Sequence, residues 1–185
     1  MKYNYLLLML FLLVQLSSCI AEPGKWIEYK STDLGFKIEF PVTPFNKSQS
    51  LDTAGGLMKL NIIGADCQND RNSNNLAYLL NCSTYPKSFF DGFSKENYET
   101  FFYNTIQGMV KNQITNDGHL SESQVIDFHG CQGREVKIVF NNGQDINTAR
   151  FILKDNKIYI LLITSHLRKV PNPDIQKFFN SFRFI

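Results

Sequence analysis

Three β-strand patterns follow one another in the last third of the chain, and they constrain the fold more than any other feature. We predict strands at residues 134–140, 148–154 and 157–164. Asn142-Gly143 and Asp155-Asn156 separate them, and these residue types tolerate the positive φ angles that two-residue hairpin loops require. We therefore predict an antiparallel sheet built from successive hairpins.

The third of these strands differs from the first two in its hydrophobic pattern. In the first two, apolar and polar residues alternate, so each strand has one face in the core. Residues 158–163 are apolar at every position, which is typical of a strand covered on both faces. We therefore predict that the third strand lies in the middle of the sheet.

Further strands are predicted upstream of this region, at residues 26–31, 36–40, 56–66, 76–85 and, more weakly, up to Phe128. The polar residues of 44–54 predict a loop. The wholly polar run 68–75 predicts a second, solvated loop, because no hydrophobic core would accept it. Residues 129–133 predict a glycine-flanked turn that leads into the central hairpins.

Two helices are predicted, at residues 91–114 and after Asn172. In the first, Ser94 is the expected N-cap, and an apolar stripe at helical spacing indicates a face that covers the sheet. In the second, Asn172 is the expected N-cap and Pro173 takes the first helical position. The pattern of the second helix predicts a buried apolar face made of Ile175, Phe178, Phe179 and Phe182.

The first residues have the layout of an export signal. An apolar run follows Lys2 and ends at Leu16, and it is shorter than the roughly 20 apolar residues that a membrane-spanning helix needs. The run ends in Leu-Ser-Ser-Cys19, which resembles the bacterial lipobox, where cleavage leaves the cysteine as an acylated first residue. The alternative is an ordinary secretory peptide cut near Ala21.

The lipobox interpretation divides the protein into three parts. Residues 1–18 are the lipoprotein signal peptide, residues 19–25 are the acylated Cys19 and a short tether, and residues 26–185 form a single α+β domain. Ile20 follows the cysteine in place of an aspartate, so the inner-membrane retention signal of enteric bacteria is absent. By this resemblance we expect a lipoprotein facing the periplasm, on the outer membrane rather than the inner one.

Charge and cysteine usage exclude several classes of function. The chain has 19 basic and 17 acidic side chains, and this balance implies no nucleic-acid partner. Cys67, Cys82 and Cys131 allow one disulfide or three unpaired thiols, and we favour unpaired thiols. No cysteine-histidine spacing of a zinc site occurs, and the acidic residues near position 70 lack the spacing of a calcium loop. We expect no metal and no cofactor.

One local pair has the residue types of a nucleophile and its base, namely Cys131 and His129, with Asp127 two residues earlier. The alternative, which we favour, is an ordinary strand end with one buried cysteine. Arg134 and Glu135 are neighbours on a strand and must point to opposite faces. We expect each to pair with a charge on an adjacent strand, with Arg150 and Lys154 as candidates for Glu135.

A further set of cations could contact lipid phosphates or an acidic partner. Its members are Arg150, His166, Arg168 and Lys169. A run this short is usually a solvated loop, so the set is a hypothesis about binding and not a site.

Several short motifs occur in one order along the sequence: Trp26-x-x-Tyr29-x-Ser31, Phe36-x-Ile38-x-Phe40-Pro41-x-x-Pro44, Gly130-x-x-Gly133-Arg134-Glu135, Arg150, Ile158-Tyr159 and Phe178-Phe179-x-Ser181-Phe182. This series resembles the Mog1/PsbP-like group of small domains, many of them exported bacterial lipoproteins. The resemblance implies an α+β fold with a single, largely antiparallel β-sheet of six or seven strands flanked by helices. Members of the group act mostly by binding, and none of their binding residues transfers to a position here.

These observations together lead to an expected function. We expect a lipid-anchored cell-envelope protein that acts as a non-enzymatic protein-binding module, with an envelope protein as partner. The first alternative is a carrier of a small or hydrophobic ligand, held between the helix at 91–114 and the sheet. The second alternative is a thiol hydrolase that uses Cys131 and His129.

Overall fold

The computed structural model describes residues 25–53, 56–112 and 117–185. The predicted signal peptide, Cys19 and most of the tether lie outside the described residues, as does the end of the first predicted helix at Ile114.

The described residues form ten strands and two α-helices. In order they are β1 (Ile27–Ser31), β2 (Phe36–Phe40), β3 (Phe45–Thr53), β4 (Gly56–Asp66), β5 (Ala77–Thr84), α1 (Lys95–Lys111), β6 (His119–Phe128), β7 (Cys131–Phe140), β8 (Asp145–Lys154), β9 (Lys157–His166), α2 (Pro173–Ser181) and β10 (Arg183–Phe184). Short 3₁₀ turns precede each helix, at Lys87–Phe90 and Leu167–Lys169.

Seven strands form one antiparallel sheet in the order β3-β4-β5-β9-β8-β7-β6. The predicted α+β fold with a sheet of six or seven strands and flanking helices is confirmed. β9 is the fourth of seven strands, which confirms the mid-sheet position predicted from its apolar residues on both faces. The remaining strands form a second sheet, in the order β1-β2-β10, which was not predicted from the sequence.

The large sheet separates two hydrophobic cores. On one face, which we call the α1 face, Phe102 and Ile106 of α1 pack against side chains of β7, β8 and β9. On the other, which we call the α2 face, α2 and the small sheet pack against β4, β5, β8 and β9. β9 contributes to both cores, with Ile158 on the α1 face and Tyr159 on the α2 face.

Both predicted N-caps are confirmed, because capping depends on local chemistry, whereas α1 begins at Lys95 and not at residue 91 as predicted. The Ser94 hydroxyl accepts a hydrogen bond from the backbone N–H of Asn97, and the Asn97 side chain accepts one from the Ser94 N–H. Asn172 Oδ1 accepts from the N–H groups of Asp174 and Ile175. Each pair of bonds satisfies N–H groups that a helix start leaves without an intrahelical partner.

Two predicted loops are wrong in part. β3 forms a regular strand within the range predicted as a loop, and it pairs with β4 along its whole length. It is an edge strand with much of its surface in solvent, so it needs no hydrophobic alternation. In the polar run 68–75, Asn75 is only 2% exposed. Its amide bonds to Ser165, Tyr78 and Asn172, and these bonds compensate for its burial.

Two turns also differ from their predicted form. The loop between β7 and β8 has four residues instead of two, and Asn141, Asn142 and Gly143 all have positive φ angles. The turn before β7 is shorter than predicted, because Cys131 is already the first residue of the strand. The two-residue turn at Asp155-Asn156 has the predicted form, with a φ of 53° at Asp155.

Candidate functional site

A groove of about 420 Å³ lies on the α2 face, between helix α2 and strands β6 to β8. Helix α2 packs over the centre of the sheet and leaves part of β6 and β7 open on this face, while Phe182 and Phe184 cover the end at Phe128. We call this feature the α2 groove and define it by the side chains on its two sides. They are Glu122 of β6, Glu135, Lys137 and Val139 of β7, Ile146 and Thr148 of β8, and Ile175, Gln176 and Phe179 of α2.

Three directly opposed residue pairs of β7 and β8 run along the sheet side of the groove: Glu135 with Arg150, Lys137 with Thr148, and Val139 with Ile146. Alternate residues of a strand point to one face, so these three pairs share the α2 face. The groove is therefore ionic at one end, hydrogen-bonding in the middle and apolar at the other end.

The ionic end is held by interactions with both neighbouring strands and with α2. Arg150 Nε donates to Glu135 Oε2 at 2.6 Å, and Gln124 Nε2 of β6 donates to Glu135 Oε1 at 3.2 Å. The Arg150 guanidinium lies 4.5 Å from the ring centroid of Phe179, a cation–π distance. The Glu135 and Arg150 side chains are 18% and 19% exposed. The predicted pairing of Glu135 with Arg150 is confirmed.

The middle of the groove has one loosely held charge and one buried hydroxyl. Lys137 Nζ donates to Glu122 Oε2 at 2.7 Å, and the Glu122 side chain is 65% exposed. Thr148 is 4% exposed, and its Oγ1 has no hydrogen-bond partner among the described residues. A buried hydroxyl without a partner costs about 1 to 3 kcal/mol, so this part of the groove is under-satisfied in the free protein.

Arg134 lies on the opposite side of the sheet from the groove, as predicted for neighbours on a strand. It is 7% exposed, and it forms an ion pair with Glu99 of α1. Its guanidinium also lies 4.9 Å from the ring centroid of Phe102. The hydrogen bond from Arg134 lowers the pKa of Glu99. The expectation of a partner on an adjacent strand is wrong for Arg134, because α1 covers this part of the sheet.

The proposed row of Asp127, His129 and Cys131 does not form along one side of a strand. β6 ends at Phe128, and His129 lies in the turn with a φ of 54°. Asp127 Oδ1 accepts a hydrogen bond from the Gly130 N–H across the same turn. No hydrogen bond links His129 to Cys131 in the described part of the protein. Because the strand direction reverses between them, the three residues do not line up.

The Cys131 thiol is in a poor environment for a nucleophile. It packs at the margin of the core on the α2 face, and burial raises its pKa, with a smaller opposing effect from Lys154. A raised pKa keeps the sulfur protonated at neutral pH, and the thiolate is the reactive form. This environment disfavours the thiol hydrolase alternative.

Of the set of four cations, His166 and Arg168 line one cavity of about 530 Å³, and Arg150 and Lys169 do not line it. Arg150 is engaged with Glu135, and Lys169 Nζ donates to the carbonyl oxygen of Ser73 at 2.9 Å. His166 Nδ1 lies 2.7 Å from Asp145 Oδ1. Arg168 is exposed and, among the described residues, has no ion-pair partner.

All three cysteines within the described residues are free thiols, as favoured from the sequence. Burial raises the pKa of Cys67, and it raises that of Cys82 to about 11. In the described ranges, no group of three or more His, Cys, Asp or Glu side chains has the geometry to hold a metal ion. Asp66 and Asp70 each accept a hydrogen bond from a backbone N–H two residues ahead.

The fold is similar to that of a cyanobacterial protein of known structure. The solution structure of cyanobacterial PsbP from Synechocystis sp. PCC 6803 matches 92% of this chain and 99% of its own, with a TM-score of 0.60 and 12% sequence identity. The fold is PsbP-like. At 12% identity the likeness concerns the fold alone and leaves the function open.

A further solved structure overlaps less well. A protein of unknown function from Pseudomonas aeruginosa matches 83% of this chain and 91% of its own, with a TM-score of 0.36 and 13% identity. No protein-family model matches the sequence, and no curated protein matches it either. Within residues 25–53, 56–112 and 117–185, no helix has both the length and the hydropathy to cross a membrane.

Proposed function

We propose that this protein is a lipid-anchored component of the cell envelope that acts as a non-enzymatic protein-binding module through the α2 groove. The observation that carries the proposal is the composition of the groove. It combines apolar side chains with a few fixed polar groups, the arrangement found at binding sites in general. The ion pair of Glu135 and Arg150 holds one end of this surface in a defined geometry before a partner arrives.

The surface around the groove also suits a protein partner. β6 borders the groove and is one of the two edge strands of the large sheet, and most of its residues are exposed. Interfaces typically surround an apolar centre with a polar, solvent-accessible rim. Here Val139, Ile146 and Ile175 supply the apolar part, and the exposed Glu122 of β6 belongs to the rim.

The start of the described domain, at Trp26, lies on the same face of the sheet as the groove. Trp26 packs edge-on against Tyr78, with 5.5 Å between ring centroids, and Lys177 Nζ of α2 lies 4.5 Å from the Trp26 ring centroid. The backbone therefore enters the fold beside α2. A lipid on Cys19, only seven positions before Trp26, would keep the α2 face near the membrane, so we propose a membrane-associated envelope protein as the partner. The absence of an aspartate after Cys19 favours the outer membrane.

Cross-linking in intact cells tests this function. A photoreactive amino acid would replace Gln176, which is exposed on the groove wall, and the matched control would carry it at Tyr103, which is 63% exposed on α1. We expect one dominant cross-linked protein from position 176 and none from position 103. In a Cys19→Ser variant, which cannot be acylated, that product should fall sharply. Equal cross-linking from both positions, or none from position 176, would contradict the proposal.

The alternative is a carrier of a small or hydrophobic ligand. Between the first helix and the sheet, Phe102 and Ile106 pack with Val136, Ile138 and Phe151, and a cavity of about 460 Å³ lies at the margin of this core, beside Tyr98 and Leu153. The α2 groove is likewise within the range of about 300 to 1,000 Å³ found for small-ligand pockets. Native mass spectrometry of the purified protein would reveal a carried ligand as added mass.

A further inference from the structure

We propose that the middle of the α2 groove is a subsite for a carboxylate that carries an adjacent apolar group, the chemistry presented by the C-terminal residue of a protein. This inference rests on the proposed binding role of the groove. It does not depend on the lipid anchor or on the identity of the partner. The carboxylate would bind Lys137 and Thr148, and the apolar group would lie on Val139 and Ile146.

Lys137 and Thr148 form a pair of donors on neighbouring strands. They are directly opposed on β7 and β8 and both line the groove. Side chains in such positions have Cβ atoms about 4.5 to 5.5 Å apart, so the two oxygens of one carboxylate can accept from both. Ammonium-to-carboxylate hydrogen bonds are among the stronger ones in proteins.

Thr148 is the observation that points to a ligand. It is more than nine-tenths buried, yet its hydroxyl has no partner in the described structure. Buried polar groups in folded proteins are nearly always hydrogen-bonded. Rotation about χ1 exchanges the hydroxyl and methyl positions among staggered rotamers, so the hydroxyl can turn toward a group that enters the groove.

The acidic residues near this position differ in how firmly they are held. Glu135 already accepts hydrogen bonds from Arg150 and Gln124. Glu122 pairs with Lys137, and its side chain is 65% exposed. Exposed ion pairs contribute little to stability, so a ligand carboxylate can displace Glu122 from Lys137. Without a ligand, the Glu122 carboxylate therefore occupies the position beside Lys137 that we propose for the ligand carboxylate.

The apolar part of the ligand has a defined place. The pair of Val139 and Ile146 lies two residues along the strands from Lys137 and Thr148, which is about 7 Å at the usual rise per residue. Ile175 of α2 lines the same groove opposite the sheet. This spacing matches a single residue that carries its carboxylate and its apolar side chain on one carbon atom.

The first experiment compares matched small probes. The full-length protein with Cys19→Ser would be titrated with N-acetylleucine and with N-acetylleucinamide, which lacks the negative charge, and binding followed by ¹H–¹⁵N NMR shifts. We expect the acid to bind at least tenfold more tightly than the amide, with shifts centred on Lys137, Thr148 and Ile146. Equal binding of acid and amide, or no binding of the acid, would overturn the proposal.

A second probe separates two sources of the same chemistry. 4-Methylpentanoate has the carboxylate and the branched apolar group but no peptide amide. Tighter binding of N-acetylleucine supports the subsite and assigns it to the C-terminus of a protein. Equal or tighter binding of 4-methylpentanoate supports the subsite and assigns it to a small free acid.

Three substitutions test the roles of individual side chains. Thr148→Val keeps the shape and removes the hydroxyl, and Lys137→Met removes the charge, and each should weaken binding of N-acetylleucine at least fivefold. Glu122→Gln should strengthen it about threefold, because a competing carboxylate is lost. If these residues only stabilised the fold, their substitution would not weaken binding in Thr148→Val and Lys137→Met and strengthen it in Glu122→Gln. Unchanged affinity in both Thr148→Val and Glu122→Gln would refute the subsite.

The protein-binding module and the carboxylate subsite can be refuted independently of each other. The titrations involve neither a partner nor a lipid, so a negative cross-linking result leaves the subsite standing. Conversely, a partner that cross-links at position 176 while N-acetylleucine does not bind would keep the binding module and remove the carboxylate subsite.

Discussion

Glu135 and Arg150 face each other across β7 and β8 on the α2 face, with Arg150 Nε donating to Glu135 Oε2 at 2.6 Å. Both side chains are largely buried, and Phe179 covers the guanidinium. This pair connects the β7 side of the sheet to helix α2. It therefore fixes the position of the helix relative to the groove.

We expect Arg150→Met to lower the free energy of unfolding by about 1 to 3 kcal/mol, because it leaves the largely buried Glu135 carboxylate with only Gln124 as a side-chain donor. Urea unfolding followed by circular dichroism measures the change. The matched control is Lys37→Met, which removes an exposed pair with Glu28 at 3.0 Å and should cost less than about 1 kcal/mol. Equal losses in the two variants would show that Arg150 is no more than a surface charge.

Gly133 cannot accept a side chain. A Cβ atom built there would lie 2.6 Å from the backbone oxygen of Phe151 and 2.9 Å from Ile126 Cγ1, and a backbone oxygen in a sheet cannot move aside cheaply. We expect Gly133→Ala to lower the midpoint of thermal unfolding, with a cost of about 1 to 3 kcal/mol.

The control for this substitution is Gly108→Ala in helix α1. Nothing lies within 4 Å of a Cβ atom at position 108. Alanine is favoured over glycine in a helix by about 0.5 to 1 kcal/mol, so this variant should be more stable than the parent protein. A destabilised Gly108→Ala together with an unchanged Gly133→Ala would reverse the expectation.

Phe182 follows α2 and is fully buried among the rings of Phe36, Phe128, Tyr159 and Phe184. We expect Phe182→Asp to cost more than about 4 kcal/mol, because it places an unpaired charge in this cluster and removes a large apolar side chain. Amide hydrogen exchange should show loss of protection throughout α2. Val125→Asp, at a position 73% exposed, is the control and should leave protection intact.

Stability should fall at alkaline pH. Burial raises the pKa of Cys82 from 9.0 to about 11 and that of Tyr78 from 10.0 to about 12. A raised folded-state pKa means that the fold favours the neutral form, so its contribution is complete below the unfolded-state pKa and is lost as the pH rises through the folded-state value. We expect the free energy of unfolding to decline from about pH 9, first through the buried thiols and then through Tyr78. In Cys82→Ala, the decline should begin at the same pH but be less steep, because Cys67 and Cys131 also have raised pKa values. The same pH profile in both proteins would exclude Cys82 as a cause.

Cys131 should alkylate slowly. Because burial raises its pKa, only a small fraction is thiolate at pH 7, and we expect iodoacetamide to modify Cys131 more slowly in the folded protein than in urea. Mass spectrometry of tryptic peptides gives the rate at each cysteine. A Cys131 that reacts faster in the folded protein than in urea would restore the thiol hydrolase alternative.

Features that depend on neighbouring residues in the sequence were predicted well. The alternation in β2 (Phe36–Phe40), the apolar run in β9 and the N-caps Ser94 and Asn172 all correspond to the structure. A few consecutive residues are enough to predict the strand period, the burial of a strand on both faces and the capping of a helix. For the same reason the opposite orientations of Arg134 and Glu135 followed from their adjacency in a strand.

Features that depend on distant parts of the sequence were not predicted. β3 is polar because it is an edge strand, and that position is set by its pairing with β4. Asn75 is buried because Ser165 and Asn172, far away in the sequence, supply its hydrogen bonds. The two-residue strand β10 exists only because β2 is beside it, and it is too short to have a pattern of its own.

The candidate site shows the same division. Glu135 and Arg150 could be proposed as a pair from the order of the strands, because successive hairpins place their residues opposite each other. Lys137 and Thr148 gave no such indication, since one is an ordinary surface cation and the other an ordinary strand residue. Their significance comes from where α2 crosses the sheet, because the part of the face that the helix leaves open is the groove. Local chemistry specifies the strands and caps, whereas the burial of an unpaired hydroxyl depends on how elements distant in sequence pack together.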